Sequence, residues 1–173
     1  MQGSLNATQR AIVAQHVAGV RVVDVGAGDF SLSVEMVSLG ATEVIAVEPK
    51  PWGHRPTPAN VRHVRLYLDA FHETHSVGFV SWPANNLYLE SALIKFAMRT
   101  DKLIVLAKTT DGLMCAGPTF WEYIMKREVL VYSADPVNTL AVYGPRYVRR
   151  PPKGVERGGI SDDILSYESA EAV

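Results

Sequence analysis

The chain has 173 residues, with 17 Lys plus Arg against 18 Asp plus Glu, 47% hydrophobic residues and 20% charged ones. Those proportions describe one compact domain with enough apolar side chains for a real core, and a formal net charge of −1 excludes a chain that coats nucleic acid by bulk electrostatics. No window approaches the roughly 18 consecutive apolar residues of a membrane span, and the opening run MQGSLNATQR lacks the basic-then-apolar order of a secretion signal, so no membrane partner and a cytoplasmic location are expected. The single cysteine, Cys115, has no internal partner for a disulfide, and no cysteine cluster is present to hold structural zinc.

In chain order, Asn6 or Thr8 is placed to cap a helix running to about His16, with Gly19 as its stop. Arg21 to Val25 is a short apolar, β-branched run that ends in the turn Gly26-Ala27-Gly28, and Phe30 to Leu39 then has helical spacing before Gly40. Glu43 to Val47 is β-branched again. Strand, helix, strand fits a right-handed parallel crossover with the sheet buried on both faces.

Between Pro49 and Pro58 four prolines and Gly53 exclude an ordinary helix and predict an exposed loop, a candidate lid. Alternation from Val61 to Leu68 predicts a strand near a sheet edge, closed by Asp69. After a short helical stretch at Ala70 to His75, Val77 to Val80 reads as a fourth strand ending at Ser81-Trp82-Pro83. The helix from about Asn85 to Arg99 is apolar nearly all round and expected to be largely buried. Lys102 to Ala107 is a fifth strand, Asp111-Gly112 a turn, and Pro118 a first-turn proline opening another helix. Val129 to Tyr132 and Thr139 to Tyr143 make a terminal antiparallel hairpin and bring the strand count to seven. One domain over 1–145 is therefore expected. From Pro145 onward the composition changes: a basic and then acidic segment, 146–173, is expected to be a mobile tail, with net charge +4 between Arg146 and Arg157.

A glycine turn between a strand and a helix leaves backbone N–H groups open and lets a ligand approach where a side chain would collide. The spacing here is Asp24, Gly26, Gly28, with Ser31 where the dinucleotide fingerprint G-x-G-x-x-G has its third glycine. Glu48, at the end of the next strand, occupies the place from which a carboxylate accepts hydrogen bonds from both hydroxyls of a ribose, although a solvated strand end before Pro49 would read the same way.

The run VVDVGAGDFSLSVEMVSLGATEVIAVEPKP resembles the first two motifs of the class I S-adenosylmethionine (SAM) dependent methyltransferases. The resemblance implies a Rossmann-like α/β fold, a three-layer sandwich on a seven-stranded, mostly parallel sheet in the order 3-2-1-4-5-7-6 with strand 7 antiparallel. It implies SAM as cofactor, held by Asp24, Gly26, Ala27, Gly28 and Phe30 around the glycine loop, Glu48 and Pro49 at the ribose, and Asp69 and Ala70 at the adenine. Asp69 fits a helix N-cap equally well. At the acceptor side the family's amino methyltransferases that act on nucleic acids carry Asp, Asn or Ser, then Pro-Pro, then an aromatic. Here Ser81, Trp82 and Pro83 take those catalytic positions, with Trp82 displacing a proline. A serine hydroxyl can accept a hydrogen bond from an amine, and Trp82 either stacks on a planar acceptor or packs as core against the following helix.

His72-Glu73-Thr74-His75 spaces its histidines three apart rather than the four of a zinc helix, so no metal site is expected. Arg146, Arg149, Arg150 and Lys153 are candidates for local phosphate contact, against the reading of a solvated run. The leading expectation is a SAM-dependent methyltransferase acting on an unidentified acceptor, an amino nitrogen among the candidates: a small molecule, a protein side chain or a nucleic acid. The rival is a noncatalytic SAM-binding or scaffold-only member of the fold that serves as a partner-binding subunit, so turnover, like the oligomeric state, is left open. A nucleotide-linked oxidoreductase is disfavoured by the missing third glycine.

Overall fold

The computed structural model describes residues 4–51, 57, 59–83, 87–108 and 116–146. Helix α1 (Ala7–Val17) starts at Asn6, whose side chain accepts from the Gln9 N–H at 2.9 Å while the Gln9 side chain accepts from the Asn6 N–H at 3.1 Å. This reciprocal cap satisfies two donors that the first turn would otherwise leave open. Then follow β1 (Arg21–Val25), α2 (Ser31–Ser38), β2 (Glu43–Val47), β3 (Val61–Val64), a 3-10 turn at Leu68–Ala70, β4 (Val77–Ser81), α3 (Leu87–Met98), β5 (Lys102–Lys108), α4 (Pro118–Ile124), β6 (Arg127–Ala134) and β7 (Asn138–Arg146).

The strands form one seven-stranded sheet in the order 3-2-1-4-5-7-6. All neighbours up to β5 are parallel, and β7 runs antiparallel between β5 and β6. The α/β fold and strand order expected from the sequence are therefore present. Alternate strand residues face two cores, as β geometry requires. Val22, Val44, Phe79 and Ile104 pack with α1 and α2, whereas Val23, Ile45, Val80 and Val105 pack with α3 and α4. Register sets the place of the site: Val25 lies opposite both Val47 and Val80, so the residues that follow them, Gly26, Glu48 and Ser81, leave the sheet side by side.

Several local expectations are corrected. The third strand ends at Val64 rather than Leu68, and a 3-10 turn replaces the helix expected at Ala70 to His75. Helix α3 is amphipathic rather than buried all round: Leu87 and Tyr88 are 81% and 90% exposed, since only the Leu93, Phe96 and Ala97 side meets the sheet. The hairpin is longer at both ends, and β6 is bulged against β7 between Arg127 and Val131.

His75 is a packing residue, its ring stacked 4.5 Å from Phe96 and its Nε2 at 2.8 Å from the Thr100 hydroxyl. Burial holds its pKa below the ordinary imidazole value. His72 instead lies against Arg99, 3.2 Å from Nη1. Among the described residues no group of three or more His, Cys, Asp or Glu is placed to hold a metal, and no helix is long and apolar enough to cross a membrane. The segment 147–173, Cys115 and most of the loop between Pro49 and Pro58 lie outside the described residues, so the tail and lid expectations have no structural counterpart.

Candidate functional site

The turn after β1 is built from positive-φ backbone. Gly26 sits at φ +71°, Gly28 at +54° and Phe30 at +65°. The first two conformations cost glycine nothing and would strain other residues. Phe30 tolerates its own because its ring is buried and meets the His63 ring edge-on at 5.0 Å. Asp29 then accepts from the Ser31 N–H at 3.0 Å, turning the chain into α2. A Cβ built on Gly26 meets nothing within 4 Å, so the turn presents bare backbone to open space.

That space is a cavity of about 370 Å³ at the carboxyl ends of β1, β2 and β4, where open α/β sheets take their ligands. Gly26, Glu48, Pro49, Ser81, Trp82 and Pro83, all named from the sequence, line it together. Asp24, Ala27, Gly28 and Phe30 stand behind the lining as buried support. Gly28 gives its N–H to Glu48 Oε2 at 3.3 Å, the Lys50 N–H donates to Glu48 Oε1 at 2.9 Å, and His63 Nε2 lies 2.7 Å from the Glu48 carbonyl oxygen. The carboxylate is thus oriented by two donors, and it has four acceptor sites in all.

Asp69 and Ala70 do not line this cavity. Because β3 stops early, the chain turns sooner: Leu66, Tyr67 and Leu68 form that wall, Asp69 is exposed, and the Ala70 N–H is spent on the Tyr67 carbonyl at 3.0 Å. Leu89 and Leu93 of α3 complete the opposite side. These apolar walls were read from the sequence only as strand and helix positions. The early turn after Val64 carried no glycine or proline to announce it.

On the acceptor side, Ser81 is buried and its hydroxyl oxygen has no hydrogen-bond partner. Trp82 adopts φ +43°, a conformation closed to proline, whose ring fixes φ near −65°. It packs against the core beneath α1 and α2 rather than against the following helix, and part of it lines the cavity.

Asp24 is fully buried between strands β2 and β4. Its Oδ2 accepts from the Ser33 hydroxyl at 2.5 Å, and its Oδ1 has no partner. Burial, reinforced by the Glu48 charge and opposed by Ser33, pushes its pKa from 3.8 up to about 7. The folded protein therefore retains a proton that the unfolded chain has lost between about pH 4 and pH 7. Asp24 lowers stability progressively as pH rises through that window, by up to about 4 kcal/mol. We expect Asp24→Asn to melt several degrees above the parent at pH 8 and level with it near pH 4, as read by thermal denaturation across pH. A constant difference at all pH values would reject this assignment.

No family model matches the sequence, and no curated protein matches it in sequence. Solved structures do match in fold. The 1,6-didemethyltoxoflavin-N1-methyltransferase of Burkholderia thailandensis, solved with 1,6-didemethyltoxoflavin and S-adenosylhomocysteine bound, aligns over 80% of this chain and 76% of its own at 14% identity and a TM-score of 0.58. The N-methyltransferase NodS from Bradyrhizobium japonicum aligns over 80% and 93% at 12% identity and 0.57. The magnesium protoporphyrin IX methyltransferase of Synechocystis, solved with SAM, aligns over 84% and 86% at 12% identity and 0.53. The chain thus has the class I methyltransferase fold.

Proposed function

We propose that the chain binds SAM in the 370 Å³ cavity and transfers its methyl group to an amino nitrogen. The observation that carries this reading is the pairing of open space over the bare Gly26 backbone with the oriented Glu48 carboxylate on one cavity wall. The residues present fit the cofactor: Glu48 has acceptor capacity left for two ribose hydroxyls, and Leu66, Tyr67, Leu68 and Pro49 supply an apolar slot for a flat base. When bound, SAM supplies a methyl group already activated on a positively charged sulfur. The protein's task is then alignment and exclusion of water rather than acid–base chemistry. Ser81, Trp82 and Pro83 form the acceptor-side wall of the cavity. The class I fold shared with two N-methyltransferases, one of them solved with 1,6-didemethyltoxoflavin, supports the choice of nitrogen.

Calorimetric titration with S-adenosylhomocysteine tests the reading. A saturable heat and a raised melting temperature are expected. Gly26→Ala is expected to cost only about 1 kcal/mol of stability, the strain of an L residue at positive φ, yet to weaken binding at least tenfold because its methyl occupies the approach of the ligand. No heat and no thermal protection would reject SAM binding.

One observation favours the noncatalytic alternative. The left-handed backbone at Trp82 departs from any Pro-Pro acceptor motif. Incubation with tritiated SAM and pooled amine acceptors separates the two readings, since a partner-binding subunit would bind the cofactor and transfer nothing.

A further inference from the structure

The cavity wall at Trp82 is held from behind by residues that the methyl-transfer reading does not use. A bulky side chain at φ +43° carries backbone strain, which persists only where the surroundings over-determine it. Here the Trp82 N–H donates to the Leu106 carbonyl at 2.8 Å, and the indole Nε1–H donates to Asn138 Oδ1 at 3.0 Å. Asn138, 3% exposed at the start of β7, is itself fixed. Its Nδ2 donates to the Ser4 carbonyl at 3.1 Å, which leaves Oδ1 facing the indole. Its N–H goes to Asp135 Oδ1 at 2.6 Å, and its carbonyl accepts from the Asp135 N–H at 2.8 Å and from Gln9 Nε2 at 3.4 Å. Asp135 Oδ2 in turn accepts from Asn6 Nδ2 at 2.6 Å. A polar chain therefore runs from the cap of α1 through the β6–β7 turn to the cavity wall. Buried networks satisfied in this way specify one orientation of their members.

The indole has a single N–H, and Asn138 consumes it. Any part of the indole that lines the cavity is therefore aromatic carbon, and no Lys or Arg is among the described residues lining that space. We propose that Asn138 is the positioning residue of the acceptor wall: it holds Trp82 so that its ring, rather than its N–H, meets the acceptor. The wall then selects a flat group that carries no negative charge. This rests on the reading of the cavity as a methyl-transfer site.

The test uses the full chain with Trp52 and Trp121 replaced by Phe, so that emission reports Trp82 alone. Asn138→Leu is expected to shift that emission to the red and at least double its quenching by acrylamide. Asn138→Asp, which keeps an oxygen for the indole, is expected to retain the parent signal. With S-adenosylhomocysteine bound, adenine serves as the flat, uncharged, amine-bearing probe and benzoate as the flat anion. Adenine is expected to quench Trp82 saturably and benzoate not. Asn138→Leu, and separately Trp82→Leu read by calorimetry, are each expected to weaken adenine at least tenfold while the cofactor product still binds. Unchanged emission and acrylamide quenching in Asn138→Leu would overturn the positioning role. Equal responses to adenine and benzoate, or none to either, would overturn the selectivity. Absence of S-adenosylhomocysteine binding by the parent would instead strike the methyl-transfer reading, and the acrylamide measurement would still decide whether Asn138 holds Trp82.

Discussion

Glu48→Ala is expected to weaken S-adenosylhomocysteine by at least about 100-fold, the largest loss of affinity expected from any single change at the cavity. Hydrogen bonds to a charged acceptor contribute about 1.5–3 kcal/mol each, and the two ribose hydroxyls would lose one apiece. Glu48→Gln keeps one acceptor oxygen in place and should lose about tenfold. The fold should survive both changes: Glu48 is half-buried, and its structural contacts are a long 3.3 Å bond from the Gly28 N–H and one from the Lys50 N–H. Calorimetry on both variants, with melting curves alongside, checks this. An alanine variant within threefold of the parent would mean that the carboxylate does not hold the cofactor.

Arg127→Met is expected to cost about 3–5 kcal/mol and lower the melting temperature by roughly 10 °C, with ligand affinity unchanged. Arg127 is 4% exposed, and its guanidinium donates to four backbone carbonyls: Gly144 at 2.5 Å, Ala97 at 2.8 Å, Thr100 at 2.7 Å and Asp101 at 2.8 Å. Three of those close the carboxyl end of α3 and the turn after it, where helix carbonyls have no partner of their own. Methionine fills much of the same volume and satisfies none of them. Arg127→Lys should recover only part of the loss, because a single ammonium cannot span a fork of four acceptors. The site lies at the opposite end of the strands, so a methionine variant that binds poorly would contradict the assignment as plainly as one that melts within 2 °C of the parent.

What the sequence reveals and what it hides divide along a physical line. Strands β1 and β2 are legible to the residue because each is a β-branched run buried on both faces, and the cap of α1 is legible to within Asn6 or Thr8 because capping is local chemistry. The glycine turn and Glu48 can be read because a bare backbone and a carboxylate at fixed spacing have few other uses. The edge strand β3 misleads: alternation continues past Val64, but β2 ends at Val47, and with no further partner the chain turns away, carrying Tyr67 and Leu68 to the cavity rim and leaving Asp69 outside it. Arg127 reads as a loop charge, since nothing near it in sequence shows that carbonyls from α3 converge there. The Trp82–Asn138 bond spans 56 positions and depends on a backbone angle that residue type does not announce.

The strand order also dictates a sequence of events at birth. Strand β5 is paired on one side with β4, but its other edge, Leu103 to Leu106, waits for β7, the last strand of the described residues. Until β7 has emerged from the ribosome and docked, the growing sheet therefore ends in an unpaired, apolar border of the kind that recruits neighbouring chains. Crowded polysomes, rather than the finished protein, are where this topology is most exposed to aggregation.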